Sequence, residues 1–397
     1  MENEVKLPRS PFFIPKVMDK NLSSLPFDFP AILVDTNIIN WRPKLVSKLS
    51  QLTGFFIVNP ATHCLMYKES QDKNNFKKIG YPPIEPERVY GDKSFRKEEL
   101  IKRCLDDQIS KQSTILIAPY FYAEDTDDTK FSLNLTLLAE SIQYIQENSI
   151  DKPLFAMIHI GNTVVKRPAI VNHIIDRYND DFVNSLAGYF VNINDLDCEK
   201  ADLEVLVGLS NFIFRLSEKK PVFVKRIGAF GEILCSIGAY GYSSGLGISE
   251  SSSIRTLQQS EEERKRKFIK RIYIPEIFDY INDEEAKGIG YRCNCPVCKN
   301  SLITSEKDKK LHILYSKLNA MKVLGQLDRE NRISYMMERL TKAQDMVNSC
   351  RGKYGLLYKT NHLPKWMDVL RVSKGWRYSR EEDEELADIL GEIDKNQ

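Results

Sequence analysis

Short apolar runs, separated by longer amphipathic segments, recur from about residue 29 to residue 245. Runs of about four to eight residues, rich in β-branched and aromatic side chains, are typical of strands buried on both faces of a parallel sheet. The segments between them carry apolar residues at the three- and four-residue spacing of helices. This alternation predicts an α/β fold, and it leaves open whether the sheet closes as a barrel or stays doubly wound. The clearest runs are PAILVDTNII, TGFFIVNP, STILIAPYF, PLFAMIHIG, LAGYFVNIN and PVFVKRIGAF.

The remaining segments differ in character from this alternation. Residues 66–110 are polar and broken by YPPIEPE, which predicts a long loop carrying a short helix. From about residue 305 helical periodicity dominates, and the chain ends in the acidic segment SREEDEELADILGEIDKNQ. We therefore expect a helical C-terminal region that follows the α/β part.

Composition narrows the class of protein. The 397 residues are 42% hydrophobic and 28% charged, as in globular proteins. No apolar run reaches the roughly 18 residues that a membrane span needs, and the N-terminus lacks the pattern of a secretion signal. We expect a cytoplasmic protein with no membrane partner.

The net charge is +2, so a nucleic-acid partner would have to be held by a local basic patch. The candidate patch is RKRKFIKR at residues 264–271, which directly follows three glutamates. Two interpretations remain open for this run: contacts to phosphates, or a solvated helix face with compensating charges.

Three cysteines lie within six residues: Cys293, Cys295 and Cys298. In a chain expected in the cytoplasm, this spacing favours a metal site over disulfides. Three thiolates on one turn suit a tetrahedral Zn²⁺ whose fourth ligand comes from elsewhere. The candidate is His312 in the following helix, although it is equally well explained as an ordinary helix residue. Carboxylates further along offer substitutes, Asp328 and Glu330. A closed site of this kind would be structural.

The knuckle CNCPVC and the following LHILYSKLNAMKVLG resemble the zinc subdomain of the tRNA-guanine transglycosylase family. Segments upstream resemble that family's strands in the same order, so that the resemblance covers most of residues 29–330. It implies a (β/α)₈ TIM-like barrel with an inserted zinc-binding subdomain and C-terminal helices. The implied division is an N-terminal extension at 1–28, a barrel at 29–285, a zinc-binding subdomain at 286–345 and a C-terminal helical region with an acidic tail at 346–397.

The resemblance also implies a chemistry. The family's enzymes attack the ribose C1′ with an aspartate, expel the base and let a 7-deazaguanine take its place. Asp35, in FPAILVDTNII, matches the family's general acid/base, and a cap in the turn VDTN is the alternative. Ser243 stands where the family has its nucleophilic aspartate. A serine hydroxyl needs an adjacent base to act as a nucleophile, so catalytic activity stays an open question.

The family's substrate contacts correspond to residues that differ in this chain. His159 stands in place of a substrate-reading glutamine, with an ordinary histidine at a strand end as the alternative. Asn192 and Ile193 replace a pair of glycines. Gly228 belongs to the corresponding glycine turn, and Tyr242 is a candidate for stacking on a base or for simple packing.

Two functions are therefore expected. One is a base-exchange enzyme that handles guanine or a 7-deazaguanine base at a nucleic acid. The other is a catalytically inactive relative that binds a nucleotide or a protein partner. Divergent members of the family resemble proteins encoded in bacterial anti-phage and DNA-modification gene clusters, which implies a partner from the same cluster. The family's habit of pairing through the zinc region implies a homodimer.

Overall fold

The computed structural model describes residues 7–8, 10–15, 29–79, 81, 84–246, 251–259, 271–301, 305–354 and 361–376. The predicted basic run, apart from its last residue, and the acidic tail lie outside these ranges. Within the described ranges, no helix combines the length and the apolar character that crossing a bilayer requires.

Eight short parallel strands organise the α/β part of the chain. They are β1 (Phe12–Pro15), β2 (Ile32–Asp35), β3 (Phe56–Asn59), β4 (Leu116–Ile117), β5 (Leu154–Gly161), β6 (Gly188–Asn194), β7 (Val222–Lys225) and β8 (Gly241–Ser244). Six of them form one sheet in the order β1-β8-β7-β6-β5-β4, and β2 pairs with β3 in a second sheet. An isolated parallel bridge between Ile57 and Ile115 connects the two sheets. The fold is thus mixed α/β with a curled, half-barrel parallel sheet.

Helices follow most of these strands, as parallel pairing requires. The helices of the α/β part are α1 (Thr36–Trp41), α2 (Pro43–Ser50), α3 (Lys68–Gln71), α4 (Pro86–Gly91), α5 (Arg103–Ser110), α6 (Thr129–Glu147), α7 (Pro168–Phe182), α8 (Leu203–Ser217), α9 (Phe230–Ile237) and α10 (Arg255–Gln258). A π-helical turn at Phe95–Lys102 runs directly into α5. The expected loop at 66–110 is therefore wrong in part, because its second half is helical and buries Phe95, Leu100 and Leu105.

The two faces of the strands bury different sets of side chains, because successive residues of a strand point in opposite directions. One set packs under the helices in the main hydrophobic core. The other set forms a separate apolar cluster, to which β1 to β7 or the residues beside them all contribute. Its members include Phe12, Leu33, Ile57, Ile117, Met157, Phe190 and Phe223. The curled sheet thus encloses an apolar interior of its own.

The N-terminal segment contributes the first strand of the larger sheet. Residues 12–15 fall in the predicted extension at 1–28, yet they form β1 and pair in register with β8. The sequence FFIP is too short to show a strand period, and its burial comes entirely from tertiary packing, with Phe13 and Ile14 fully buried. The sheet therefore begins before residue 29.

The chain after β8 forms a smaller unit beside the sheet. An antiparallel hairpin of β9 (Arg271–Ile274) and β10 (Asp279–Asn282) precedes α11 (Asp283–Gly288), and the cysteine turn follows. Three long helices complete the described chain: α12 (Glu306–Leu324), α13 (Arg329–Tyr354) and α14 (His362–Ser373). The hairpin packs with α12, the helix that follows the cysteine turn.

Candidate functional site

A row of buried polar side chains crosses the carboxyl-terminal ends of four neighbouring strands. In register, His159 of β5 lies opposite Asn192 of β6, Asn192 opposite Lys225 of β7, and Lys225 opposite Ser243 of β8. All four are between 1% and 4% exposed. Because every second residue of a strand points to the same face, each of the four shares its face with the residue two positions earlier. In β5, β6 and β7 that earlier residue is apolar and belongs to the interior cluster. The enclosed interior therefore changes from apolar to polar at this end of the sheet, which we call the mouth.

The strands β2 and β3 bring a carboxylate to the mouth. Asp35 lies opposite Asn59 in register, and the Asn59 Nδ2 donates to the Asp35 Oδ1 over 2.6 Å. The Tyr120 hydroxyl in turn donates to the Asn59 Oδ1 over 3.0 Å. Asp35 occupies the N-cap position of α1, but its side chain makes no capping hydrogen bond. The alternative role as a helix cap thus lacks its defining contact, and the carboxylate instead belongs to a polar chain.

Ring contacts join this chain to the row on the larger sheet. The His63 ring stacks on Tyr120 at 5.0 Å between centroids and meets His159 edge-on, also at 5.0 Å. Tyr122 approaches His159 at 5.1 Å. The structure therefore brings Asp35 and His159, two residues predicted from the sequence, into one connected cluster.

His159 lacks the partners that a buried histidine normally has. Burial lowers its pKa well below the usual value, and the nearby charges of His63, Lys225 and Arg226 lower it further, so the ring is neutral near pH 7. Neither ring nitrogen has a hydrogen-bond partner in the described part of the chain. Buried polar atoms are nearly always satisfied in folded proteins, so these nitrogens point to a ligand or to ordered water.

Asn192 shows the same deficit at one atom. Its Nδ2 donates to the Ser252 Oγ over 3.3 Å, whereas its Oδ1 is buried without a partner among the described residues. Asn192 and His159 are neighbours across the strand pair. Together they present unused hydrogen-bonding capacity at one place in the mouth.

The turn after β7 holds Arg226 and Gly228 beside the row. Arg226 has a left-handed φ of 55°, and its amide donates to the Ser243 carbonyl over 2.7 Å. Gly228 has a φ of 60° and open space around the position of a Cβ. Such a conformation costs an arginine about 1–3 kcal/mol and concentrates at functional sites. Gly228 thus belongs to a turn whose shape fixes the chain next to Lys225.

Tyr242 lies outside the mouth, contrary to the expectation that it could stack on a base. Its neighbour Ser243 faces the mouth, so Tyr242 points to the opposite face of β8. There its ring packs against Phe13 at 5.0 Å and lies 5.7 Å from the Lys317 Nζ of α12. It is fully buried and belongs to the main core, where packing explains it.

The predicted grouping of three cysteines with His312 is present. The ligand atoms of the four residues all lie within 4.8 Å of one another. The His312 Nδ1 is 3.6, 3.5 and 3.2 Å from the sulfurs of Cys293, Cys295 and Cys298. Four N and S donors at this spacing are compatible with a tetrahedral zinc ion. The carboxylate alternatives at 328 and 330 do not join this group.

Contacts around the four residues orient them for a metal. The His312 Nε2 donates to the Tyr273 carbonyl over 2.8 Å, which leaves the lone pair of Nδ1 directed at the sulfurs. Burial lowers the pKa of His312, although the hydrogen bond to Tyr273 opposes this, and the neutral ring is the form that binds a metal. Amides of the turn donate to the sulfurs of Cys293 and Cys295. The surroundings of the four residues are therefore compatible with a zinc site.

Five residues of the mouth are not evident from the sequence: Asn59, His63, Tyr120, Lys225 and Arg226. One signal was available, because lysine and arginine directly after the apolar run PVFV are rarely buried without a reason. Of the others, Asn59 is the last residue of β3, and His63 and Tyr120 lie in the segments after β3 and β4, so that only the fold brings them together.

No protein-family model matches the chain, and no curated protein matches it either.

Proposed function

We propose that the chain is a closed (β/α)₈ barrel of the tRNA-guanine transglycosylase type, which binds a guanine-like base in the mouth. Closure would join the two sheets, and three features support it. The bridge between Ile57 and Ile115 joins β3 to the residue that directly precedes β4. At the other side, β1 lies against β2. The interior cluster also draws on residues all around the two sheets. An enclosed apolar interior with polar strand ends above it is the usual arrangement of such barrels.

The observation that carries the base-binding proposal is the unused hydrogen-bonding capacity of His159 and Asn192. A neutral imidazole offers one donor and one acceptor, and the Asn192 Oδ1 offers an acceptor. The edge of a guanine or 7-deazaguanine carries both donors and acceptors, so it can satisfy all three atoms. Asp35, held by Asn59, is the group in the mouth best suited to move a proton to or from the base.

A second candidate is a relative that binds the base without breaking a glycosidic bond. Ser243 favours it, because this buried hydroxyl occupies the position at which the resemblance requires a carboxylate nucleophile. In either case the zinc site is structural, since three thiolates and His312 leave no open position for a substrate.

Calorimetric titration of the purified protein with 7-cyano-7-deazaguanine, preQ1 and queuine tests the base-binding proposal. We expect one site per chain, with binding weakened by His159→Ala and Asn192→Ala, because each substitution removes a hydrogen bond inside a buried site. Asp180→Asn is the control, since Asp180 is exposed on α7. Absence of binding by the folded wild-type protein to all three bases would refute the proposal.

A denaturing gel with tRNA and with DNA separates the two candidates. A covalent adduct with either nucleic acid would support the base-exchange enzyme, and its loss in Asp35→Asn would show that Asp35 takes part in forming it. Base binding with no adduct on either nucleic acid would favour the non-catalytic relative.

A further inference from the structure

Residues 36–79 form a locally basic part of the chain. They include seven Lys or Arg residues and two Asp or Glu residues, whereas the whole chain has a net charge of +2. The segment runs from α1 through α2 and β3 to the turns after α3. A nucleic-acid partner needs a local patch of this kind, because the total charge of the chain is too small to attract it.

Trp41, the last residue of α1, lies at the surface. Two large apolar residues of the described chain are exposed, Trp41 and Tyr90, and Trp41 is the more exposed at 55%. The Arg42 guanidinium lies over the Trp41 ring, 4.4 Å from its centroid. An exposed aromatic ring beside a cation is the combination on which single-stranded nucleic acids stack their bases.

Exposed lysines extend this surface. Lys44 and Lys48 are four residues apart and therefore lie on one side of α2. The Asn40 Nδ2 donates to the Lys78 carbonyl over 2.7 Å, which holds Lys77 and Lys78 beside α1. All four lysines are exposed, and none forms an ion pair with the described residues. We call this surface the basic face, which consists of Trp41, Arg42, Lys44, Lys48, Lys77 and Lys78.

The acidic groups around the basic face are balanced by other cations. Glu69 and Asp72 lie on or beside α3, together with two lysines that match them in number. Asp107 of α5 approaches α1, because its carboxylate accepts from the Thr36 hydroxyl over 2.7 Å. That carboxylate is paired with Lys111 over 2.6 Å. The basic face therefore keeps its positive charge.

The basic face begins next to the mouth. The helix α1 starts directly after Asp35, the carboxylate of the polar chain in the mouth. Because an α-helix rises about 1.5 Å per residue, Trp41 lies on the order of 10 Å from Asp35. A strand that stacks one base on Trp41 thus has a neighbouring base within reach of the mouth.

We propose that the basic face binds a single-stranded nucleic acid, with one base stacked on Trp41 and the adjoining phosphates bound by the lysines. Stacking uses only the flat side of a base, and phosphate contacts do not depend on sequence, so the basic face holds the strand without reading it. The inference rests on the proposed function in one respect, since it makes the base in the mouth part of a polynucleotide instead of a free base.

Fluorescence anisotropy with a short labelled oligothymidylate and oligouridylate tests the basic face separately from the mouth, because neither strand contains guanine. We expect the protein to bind both strands at low salt, and more weakly as the salt concentration rises. Trp41→Ala should weaken binding at least about fivefold, since one base stack contributes on that scale. Trp41→Phe, which keeps an aromatic ring, should retain most of the affinity.

Tryptophan fluorescence reports the stacking directly. Trp41 is exposed, whereas Trp366 is fully buried and Trp376 packs against Phe214. Unlabelled oligothymidylate should therefore quench the emission of the wild-type protein. Trp41→Phe should remove this quenching although it still binds the strand.

The contribution of the lysines appears in the salt dependence. Lys77→Ala with Lys78→Ala should lower the slope of log affinity against log salt by up to about 1.4, since each phosphate contact to a single strand contributes about 0.7. Lys219→Ala with Lys220→Ala is the matched control, because this adjacent pair precedes β7, at the end of the strands opposite the mouth. Tyr90→Ala is the control for the ring, and a melting curve shows that each variant is folded.

The remaining outcomes are distinct. Absence of oligonucleotide binding by the wild-type protein, or binding that survives both Trp41→Ala and the double lysine variant, overturns the proposal. A dimer that Trp41→Ala dissociates, without oligonucleotide binding, also overturns it and makes the basic face a contact between copies of the chain. Tighter binding of one of the two strands, with the same sensitivity to Trp41→Ala, supports the basic face and identifies the sugar that it prefers.

The basic face and the base-binding function can fail independently. Oligonucleotide binding that depends on Trp41, without binding of any free base, supports the basic face and refutes the base-binding function. Binding of a free base without oligonucleotide binding supports the base-binding function and overturns the basic face.

Discussion

The cysteine–histidine group and the mouth are built in opposite ways. Cys293 and His312, the outermost metal-binding candidates, are 19 positions apart, and all four lie on one turn and one helix. The mouth collects side chains from Asp35 to Ser243, a span that covers seven strands of the two sheets. A local site can be seen in the spacing of its residues, whereas a site made by the fold becomes visible only when the strands are aligned.

The two regions also differ in how well their polar groups are satisfied. His312 uses one ring nitrogen for the Tyr273 carbonyl and directs the other at three sulfurs. His159 uses neither nitrogen. A satisfied cluster stabilises the fold once its metal is bound, and an unsatisfied one lowers stability in exchange for binding. Mutations in the two regions should therefore change stability in opposite directions.

The largest expected effect comes from removing a metal ligand. Cys298→Ser should abolish stoichiometric zinc and destabilise the fold by several kcal/mol, because structural zinc binding contributes on the order of 10 kcal/mol to small zinc modules. Metal analysis and thermal unfolding check this. Cys350→Ser is the matched control, since Cys350 lies on α13, outside the cluster. Full zinc content and an unchanged melting temperature in Cys298→Ser would show that Cys298 is not a ligand of a metal centre.

A buried ion pair in the scaffold gives the second largest effect. Glu232 of α9 is 1% exposed, and its Oε2 accepts from the Arg339 guanidinium of α13 over 2.8 Å. Arg339→Met leaves this carboxylate buried without its cation, which costs about 3–5 kcal/mol. Arg226→Gln at the mouth breaks no such pair and should change the free energy of unfolding by less than about 1 kcal/mol.

Urea unfolding of both variants measures the contrast, and the double variant Glu232→Leu with Arg339→Met should recover most of the loss. Equal destabilisation by Arg226→Gln and Arg339→Met would mean that Arg226 also stabilises the fold.

A third effect depends on pH. His362 of α14 is fully buried, with its ring 4.5 Å from that of Trp366, and burial lowers its pKa to about 4. The unfolded chain binds this proton near pH 6.5. The protein therefore has its full stability, as far as His362 is concerned, above about pH 6.5. It loses at most about 3 kcal/mol of this stability as the pH falls towards 4, because the unfolded chain binds the proton more readily than the folded one.

Urea unfolding between pH 7 and pH 4, compared with His362→Phe, isolates this contribution, because proton uptake by other groups is common to both proteins. A difference between the two proteins that stays constant with pH would contradict the expected shift.

The sequence predicts the α/β class because β5, β6 and β7 are long or continuous enough in apolar residues to show the pattern. It does not reveal β1, whose four residues are buried by β8, α12 and β2, none of which is next to β1 in a recognisable sequence pattern. The spacing of the three cysteines predicts a metal site, whereas the fourth member of the group, His312, is singled out from Asp328 and Glu330 only by the structure. Lys225 was missed because a lysine at the end of an apolar run suggests the end of a strand, and only the register with Asn192 and Ser243 shows that it faces the mouth.

The smallest expected effect is an increase in stability, whereas a substitution in the cysteine–histidine group should decrease it. This difference in sign separates the two regions most directly. His159→Phe replaces a buried ring whose two nitrogens lack partners with an apolar ring of similar size, next to Tyr122 and His63. Since an unsatisfied buried polar group costs about 1–3 kcal/mol, the variant should be as stable as the wild type or more stable by about 1 kcal/mol. The same variant should lose binding of the base. Thermal unfolding and calorimetry on one preparation test both statements. A variant that loses stability in step with binding would show that His159 is satisfied within the fold and serves the scaffold.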